Sequence, residues 1–247
     1  LLVNRFMPFF VFFLFFLGGS SLLAEPEETT NWFSWRGPNQ NGVSLEHFDG
    51  PATVLEKPLW TREVKGRGTP VVVDGRMFSF GYRGKGSEVV ELISALDPMT
   101  GELIWEHEIK DYISDTVYNR YSIGAPTVDP ETRNVYLCTT HGHFLCLSFD
   151  GEVLWEHSLM ERFGRLTFPN GRAGCPVIEG DTVMVRGITA FWGVQGPARD
   201  RFLGFDKVTG EILWISTPGV QPKDSSFSTP ILETRYGKRI FYVGTGC

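Results

Sequence analysis

The strongest constraint on the fold is an internal repeat of about 50 residues. Three segments align closely: Ala95-Leu-Asp-Pro-Met-Thr-Gly-Glu-Leu-Ile-Trp105, Cys146-Leu-Ser-Phe-Asp-Gly-Glu-Val-Leu-Trp155 and Gly204-Phe-Asp-Lys-Val-Thr-Gly-Glu-Ile-Leu-Trp214. Each begins with a small residue, turns at a glycine (Gly101, Gly151, Gly210) and ends on Gly-Glu-aliphatic-aliphatic-Trp. Trp60 fits the end of a further copy. A second marker, a small residue before proline and an apolar run, recurs at Thr69-Pro70, Ala125-Pro126, Cys175-Pro176 and Thr229-Pro230. The prolines are 56, 50 and 54 residues apart and the tryptophans 45, 50 and 59, so two markers keep one period.

Helix-forming runs are scarce; β-branched and aromatic bursts separated by Gly, Pro, Asp and Asn read as an all-β chain. Within the second unit the spacing predicts strands over Ala125–Val128, Asn134–Thr139, His143–Phe149 and Glu152–His157, broken at Asp129-Pro130, His141-Gly142 and Asp150-Gly151. Such a four-stranded antiparallel sheet buries its faces only when copies stack around an axis, which is a β-propeller of four-stranded blades.

Residues Ala95, Asp97, Thr100, Gly101 and Trp105 form the pattern small-x-Asp-x-x-Thr-Gly-x-x-x-Trp, and Gly204, Asp206, Thr209, Gly210 and Trp214 repeat it. On these residues the chain resembles the pyrroloquinoline-quinone-type (quinoprotein alcohol dehydrogenase-like) propellers. The segment Trp32-Phe-Ser-Trp35-Arg-Gly-Pro38-Asn-Gln-Asn-Gly42-Val-Ser44 resembles one found in exported quinoprotein-like proteins of planctomycete and verrucomicrobial bacteria. The resemblance implies seven or eight blades in a full ring. About three and a half are then expected here, over 68–109, 122–159, 173–217 and 228–247, and the chain is expected to be an N-terminal fragment. It also implies that Trp60, Trp105, Trp155 and Trp214 dock blade to blade over small residues (Ala95, Cys146, Gly204) and turn glycines (Gly101, Gly151, Gly210). Residues 25–55 are expected to pack on the propeller, which begins near residue 56.

The first 24 residues stand apart. Arg5 precedes an apolar stretch from Phe6 to Leu17, and Gly18-Gly19-Ser20-Ser21 and Ala24 supply small residues for cleavage. This order predicts a signal peptide over 1–24, too short to span a membrane, and a periplasmic or extracellular protein with no membrane span after cleavage. A net charge of −6 excludes a general nucleic-acid-binding role. Four cysteines, Cys138, Cys146, Cys175 and Cys247, follow the apolar segment. Cys138 and Cys146 flank a turn, and two readings remain open: a disulfide, or two small buried hydrophobes. The absence of Cys-x-x-Cys spacing gives no support to a zinc or redox site.

Strand order places the connections between blades and the loops between second and third strands on one face. There lie Arg120, Tyr121 and Arg172, candidates for an anionic ligand or for neighbouring blade carbonyls. The long insertion 187–201 adds Trp192 and Arg199. His141 and His143 have metal-compatible chemistry but lack a third ligand, so no metal site and no catalytic residue is assigned. Glu102, Glu152 and Glu211 recur with the repeat and read as structural. Two functions follow. One is a non-catalytic binding or scaffold module that takes a protein partner or small ligand on the propeller face, like the propeller subunit of the outer-membrane β-barrel assembly machinery. The other is a dehydrogenase of alcohols or sugars using pyrroloquinoline quinone (PQQ) with calcium.

Overall fold

The computed structural model describes residues 31–44, 46–47, 57–110, 121–163, 174–189, 194, 199–220 and 228–245. Among the described residues three four-stranded antiparallel meanders and one two-stranded hairpin follow one another. The first blade is β1 (Val71–Val73), β2 (Arg76–Arg83), β3 (Val90–Leu96) and β4 (Leu103–Ile109). The second is β5 (Thr127–Val128), β6 (Val135–Cys138), β7 (His143–Leu147) and β8 (Val153–Ser158). The third is β9 (Val177–Glu179), β10 (Thr182–Thr189), β11 (Arg199–Asp206) and β12 (Ile212–Ser216), and β13 (Ile231–Arg235) pairs with β14 (Lys238–Tyr242). The chain is therefore all-β, with the four-stranded antiparallel blades that its sequence predicts. A short α-helix, α1 (Leu159–Phe163), follows β8, and a single 3-10 turn (Gly86–Glu88) lies between β2 and β3.

Strand alternation explains how the blades stack, because successive side chains leave a strand on opposite faces. Phe78, Phe80, Ile93 and Ala95 of the first blade meet Val135, Leu137, Leu145 and Leu147 of the second. The intervening residues of the second blade, Tyr136, Cys138, Phe144 and Cys146, face Val183, Val185, Leu203 and Phe205 of the third. The third then turns Met184 and Phe202 toward Leu232 and Phe241 of the hairpin. Both faces of the second blade are covered, which is why every residue of β6 is buried.

The repeated Gly-Glu-aliphatic-aliphatic-Trp carries a β-bulge in each blade. The register shifts beside the small residue: Ala95 lies opposite Trp105 but Leu96 opposite Leu103. Likewise Cys146 lies opposite Trp155 but Leu147 opposite Val153, and Gly204 opposite Trp214 but Phe205 opposite Ile212. The skipped residues, Ile104, Leu154 and Leu213, are exposed. An extra residue on one strand breaks strict alternation and increases local twist, which accounts for two adjacent aliphatics before each tryptophan.

Three indoles also hydrogen-bond to a turn of the blade that follows. Trp60 Nε1 donates to Pro98 O at 2.9 Å, Trp105 Nε1 to Phe149 O at 3.0 Å and Trp155 Nε1 to Lys207 O at 3.3 Å. These carbonyls belong to the turns holding Gly101, Gly151 and Gly210. A Cβ on those glycines would lie 2.5, 2.8 and 2.7 Å from Cδ2 of Trp60, Trp105 and Trp155 respectively. Gly151 also has φ +92°, a conformation that costs an L-residue about 1–2 kcal/mol. Gly151→Ala is therefore expected to lower thermal stability by more than Gly75→Ala. Gly75 shares the positive φ (+71°) but has nothing within 4 Å of the added methyl. Equal shifts in Tm would show that the indole contact contributes nothing.

The N-terminal segment pairs with the inner strands. Trp32 N donates to Val72 O at 2.6 Å, Val72 N to Trp32 O at 3.2 Å and Val128 N to Phe33 O at 2.8 Å. Backbone groups at the edges of β1 and β5 are thus satisfied by the protein's own chain. The Pro-marked positions meet near the same inner edge: Ala125 N donates to Cys175 Sγ at 3.2 Å and Cys175 N to Thr229 Oγ1 at 3.1 Å. The approach is close enough that a Cβ on Gly68 would lie 2.2 Å from Gly124 O. The fuller marker is Gly-x-Pro at Gly68, Gly124 and Gly174, a glycine two residues ahead of three of the four prolines, with Ser228 in that place at the fourth, which the proline-based reading overlooks.

Candidate functional site

The face formed by the β2–β3, β6–β7 and β10–β11 connections is where sequence reasoning looks for function. Its best-built feature is a carboxylate that the repeat pattern did not single out. Glu91 lies near the start of β3, on the same side of the strand as Ile93 and Ala95, and is fully buried. One carboxylate oxygen accepts from Ser122 N (2.7 Å), Ser122 Oγ (3.0 Å) and Thr140 Oγ1 (2.6 Å). The other accepts from Thr140 N at 2.9 Å and lies 3.2 Å from His141 Nδ1. Every hydrogen-bond donor in this set belongs to the second blade or the connection leading into it, so the group fastens two blades together. Burial pushes the carboxyl pKa up, but the hydrogen bond and charge of His141, with Thr140 and Ser122, outweigh it and hold the group below its ordinary range. Ser122 takes a positive φ of 50°, and its single hydroxyl hydrogen is shared between Glu91 and Gly81 O, the latter at 2.7 Å. Such a conformation persists only where its surroundings fix it.

The third blade carries an acid at the matching position. Asp200 stands four residues before Gly204 as Glu91 stands four before Ala95. It is fully buried and accepts from Arg186 Nε at 3.0 Å and from Arg186 Nη2. In the second blade the equivalent position is Gly142. An acid on the core-facing side of the third strand, four residues ahead of the repeat's small residue in the first and third blades, is a signal that sequence reading could have used.

The sequence-chosen positions divide differently. Tyr121 is buried, 1% exposed, with its ring 5.3 Å from Tyr82 and 6.4 Å from His141. It belongs to the packing around Glu91 and presents no open surface. Arg199 is half-buried at the start of β11. Arg120, Arg172 and Trp192 lie outside the described residues. His141 is buried beside Glu91, whereas His143 Nδ1 lies 3.9 Å from Glu156 Oε2. Among the described residues no three His, Cys, Asp or Glu side chains form a metal-binding group. Glu102, Glu152 and Glu211 are exposed, and their backbone carbonyls close the turns by accepting from Asp97 N, Ser148 N and Asp206 N.

Cys138, Cys146 and Cys175 are free and buried. Cys138 lies opposite Phe144 and Cys146 opposite Tyr136, so both thiols share one face of the sheet without facing each other. Burial pushes both thiols up to about 12, which keeps them protonated and unreactive at neutral pH. Cys247 lies outside the described residues.

The electrostatics of this face are dominated by groups already engaged within the fold. A quinone-bound calcium needs several carboxylate and amide oxygens converging on one point. Glu91 and Asp200, the buried acids on this face, direct their oxygens into hydrogen bonds with Ser122 and Thr140 and with Arg186. The described residues therefore do not fit that cofactor.

Comparison with known proteins extends the repeat argument. No curated protein matches the chain in sequence. A quinohemoprotein alcohol dehydrogenase from Comamonas testosteroni aligns over 78% of the chain at 19% identity and a TM-score of 0.47. A europium-containing methanol dehydrogenase aligns over 63% at 18% identity and 0.43. The chain spans about a quarter of the length of these enzymes, 28% and 25% respectively. BamB from Moraxella catarrhalis aligns over 74% of this chain and 77% of its own length at 13% identity and a TM-score of 0.29. Residues 89–246, more than half of the chain and nearly all of its blade repeats, match the family model described as outer membrane protein assembly factor BamB. By its repeated blades and by this match, the chain belongs to that family of PQQ-type β-propeller repeats.

Proposed function

We propose that this protein is an exported, non-catalytic propeller that serves as a binding or scaffold module in the periplasm or cell envelope. It holds a protein partner or small ligand on the face that carries the blade connections. The observation that carries this reading is the Glu91 network. The buried acid on that face is held by Ser122, Thr140 and His141 of the adjoining blade, which makes it a blade-to-blade fastener and leaves no oxygen directed at a substrate. The description of the matching family as an assembly factor supports the same reading. Export rests on Arg5 and the Phe6–Leu17 segment, and no helix among the described residues is long and apolar enough to cross a membrane. Docking of Trp60, Trp105 and Trp155 on neighbouring turns supplies the rigidity that such a module needs.

The competing reading is a PQQ-dependent dehydrogenase of alcohols or sugars, suggested by the quinoprotein resemblance of the repeats. Incubation of the purified protein with PQQ and calcium separates the two. The scaffold reading expects no saturable quinone absorbance on the protein and no dye reduction with alcohols or sugars. Stoichiometric quinone binding with alcohol-dependent dye reduction would overturn it.

A further inference from the structure

The opposite face, formed by the β5–β6, β9–β10 and β11–β12 turns, holds a cavity of about 410 Å³. The turn of the N-terminal segment closes one side, and Gln40 Nε2 donates to Ile178 O at 3.3 Å to anchor it. The volume lies within the range of small-molecule sites, roughly 300–1,000 Å³. Phe33, Val128, Ile178 and Leu232 supply the apolar wall, while Asn39, Gln40 and several charged groups supply the polar one.

The charged groups pair with one another. Lys207, 3% exposed, lies 3.0 Å from Asp129 Oδ2 and 2.5 Å from Glu131 Oε2. Arg239 holds Glu179 by two parallel bonds of 2.5 and 2.6 Å. Two cations thus stand against three carboxylates, and the surplus negative charge is screened because Glu131 is 75% exposed. An anion would meet three carboxylates that already hold both cations of the lining. A cation would have to compete with an ammonium and a guanidinium already seated on them. What remains is a surface rich in hydrogen-bonding groups with little net field, beside an apolar wall.

A ring with hydroxyls along its edge and a CH face matches that surface. Hydroxyls both donate and accept, so they can bridge carboxylate, amide and carbonyl groups without unbalanced charge, while the CH face covers Phe33 and Leu232. We propose that this cavity binds a neutral polyhydroxylated ligand, a saccharide of one or two rings. The proposal is independent of the partner-binding role above, because the cavity opens on the other face and is tested by a different probe.

The test is calorimetric titration of the whole protein with glucose, galactose, mannose, maltose and cellobiose. Glucuronate and glucosamine are the charged counterparts, and N-acetyl-Ala-Ala-amide is a neutral peptide. At least one neutral sugar is expected to bind, about tenfold or more tighter than any charged counterpart or the peptide. Asn39 is exposed on the cavity rim. Asn39→Trp, which fills the mouth, is expected to abolish binding, and Asn39→Ala to weaken it, both with unchanged Tm. Absence of binding by every neutral sugar would overturn the proposal. So would equal or tighter binding of a charged sugar or the peptide, or full affinity in Asn39→Trp.

Discussion

Glu91→Ala is expected to lower the unfolding free energy by about 3–5 kcal/mol, the cost of removing one partner from a buried charged network. Thr140 N and Thr140 Oγ1 lose their acceptor at once, Ser122 N is left with only Thr140 Oγ1 at 3.1 Å and the Ser122 hydroxyl with Gly81 O, and both residues sit in a water-excluded joint between blades. The Thr140 amide left unsatisfied in such a place carries most of the penalty. Glu91→Gln keeps the shape but turns an amide NH₂ toward groups that themselves donate, so it is expected to destabilise nearly as much. Denaturant unfolding at neutral pH measures both.

The same residue sets a pH dependence. The folded protein holds the Glu91 carboxyl below its ordinary value, so the native state binds fewer protons than the unfolded chain in mildly acidic solution. Its stabilisation is therefore complete above the unfolded carboxyl value of about 4.3. It is lost as pH falls through the depressed folded value. Wild-type stability is expected to drop steeply over that acid limb, and the drop to flatten in Glu91→Gln. An unchanged acid limb in the variant would assign the dependence to other carboxylates.

Trp105→Ala is expected to cost about 3–5 kcal/mol, as aromatic truncations in packed surroundings do. The indole packs against the core cluster shared by the first two blades and lies 5.8 Å from Phe78. It also covers Gly151 and donates to Phe149 O across the blade boundary. Trp105→Phe retains an aromatic ring but loses the N–H donor, and about 1 kcal/mol of the loss should trace to that bond. A near-neutral Trp105→Ala would mean that the outer-strand tryptophan does not tie the blades together.

Much of the architecture is legible in one dimension because a propeller is built from near-copies. Ala95–Trp105 and its two relatives mark the third strand, turn and fourth strand of each blade. Pro70, Pro126, Pro176 and Pro230 stand just ahead of the innermost strands. The β-bulge at Ile104, Leu154 and Leu213 is visible only as a pair of neighbouring aliphatics, and its meaning depends on which residues lie opposite. Tyr121 shows the limit on sites. Its position before an inner strand suggests an accessible funnel residue, yet the fold buries it beside Tyr82 because Tyr121 and Ser122 pack against Tyr82 and Gly81 of the first blade.

By itself the sequence determined the period, the four-stranded unit and the small, glycine and tryptophan positions of each blade. Those are set by local turn chemistry and by a pattern that recurs within a single unit. Only the tertiary structure decided what the buried acids do. Glu91 finds its partners 31 and 49 residues downstream, in the connection after its own blade and in the β6–β7 turn of the next. Asp200, at the same place in its repeat, finds Arg186 within its own blade. Equivalent positions acquire different partners because a blade's sequence specifies its own strands, while the groups that surround an acid are supplied by whatever packs against it.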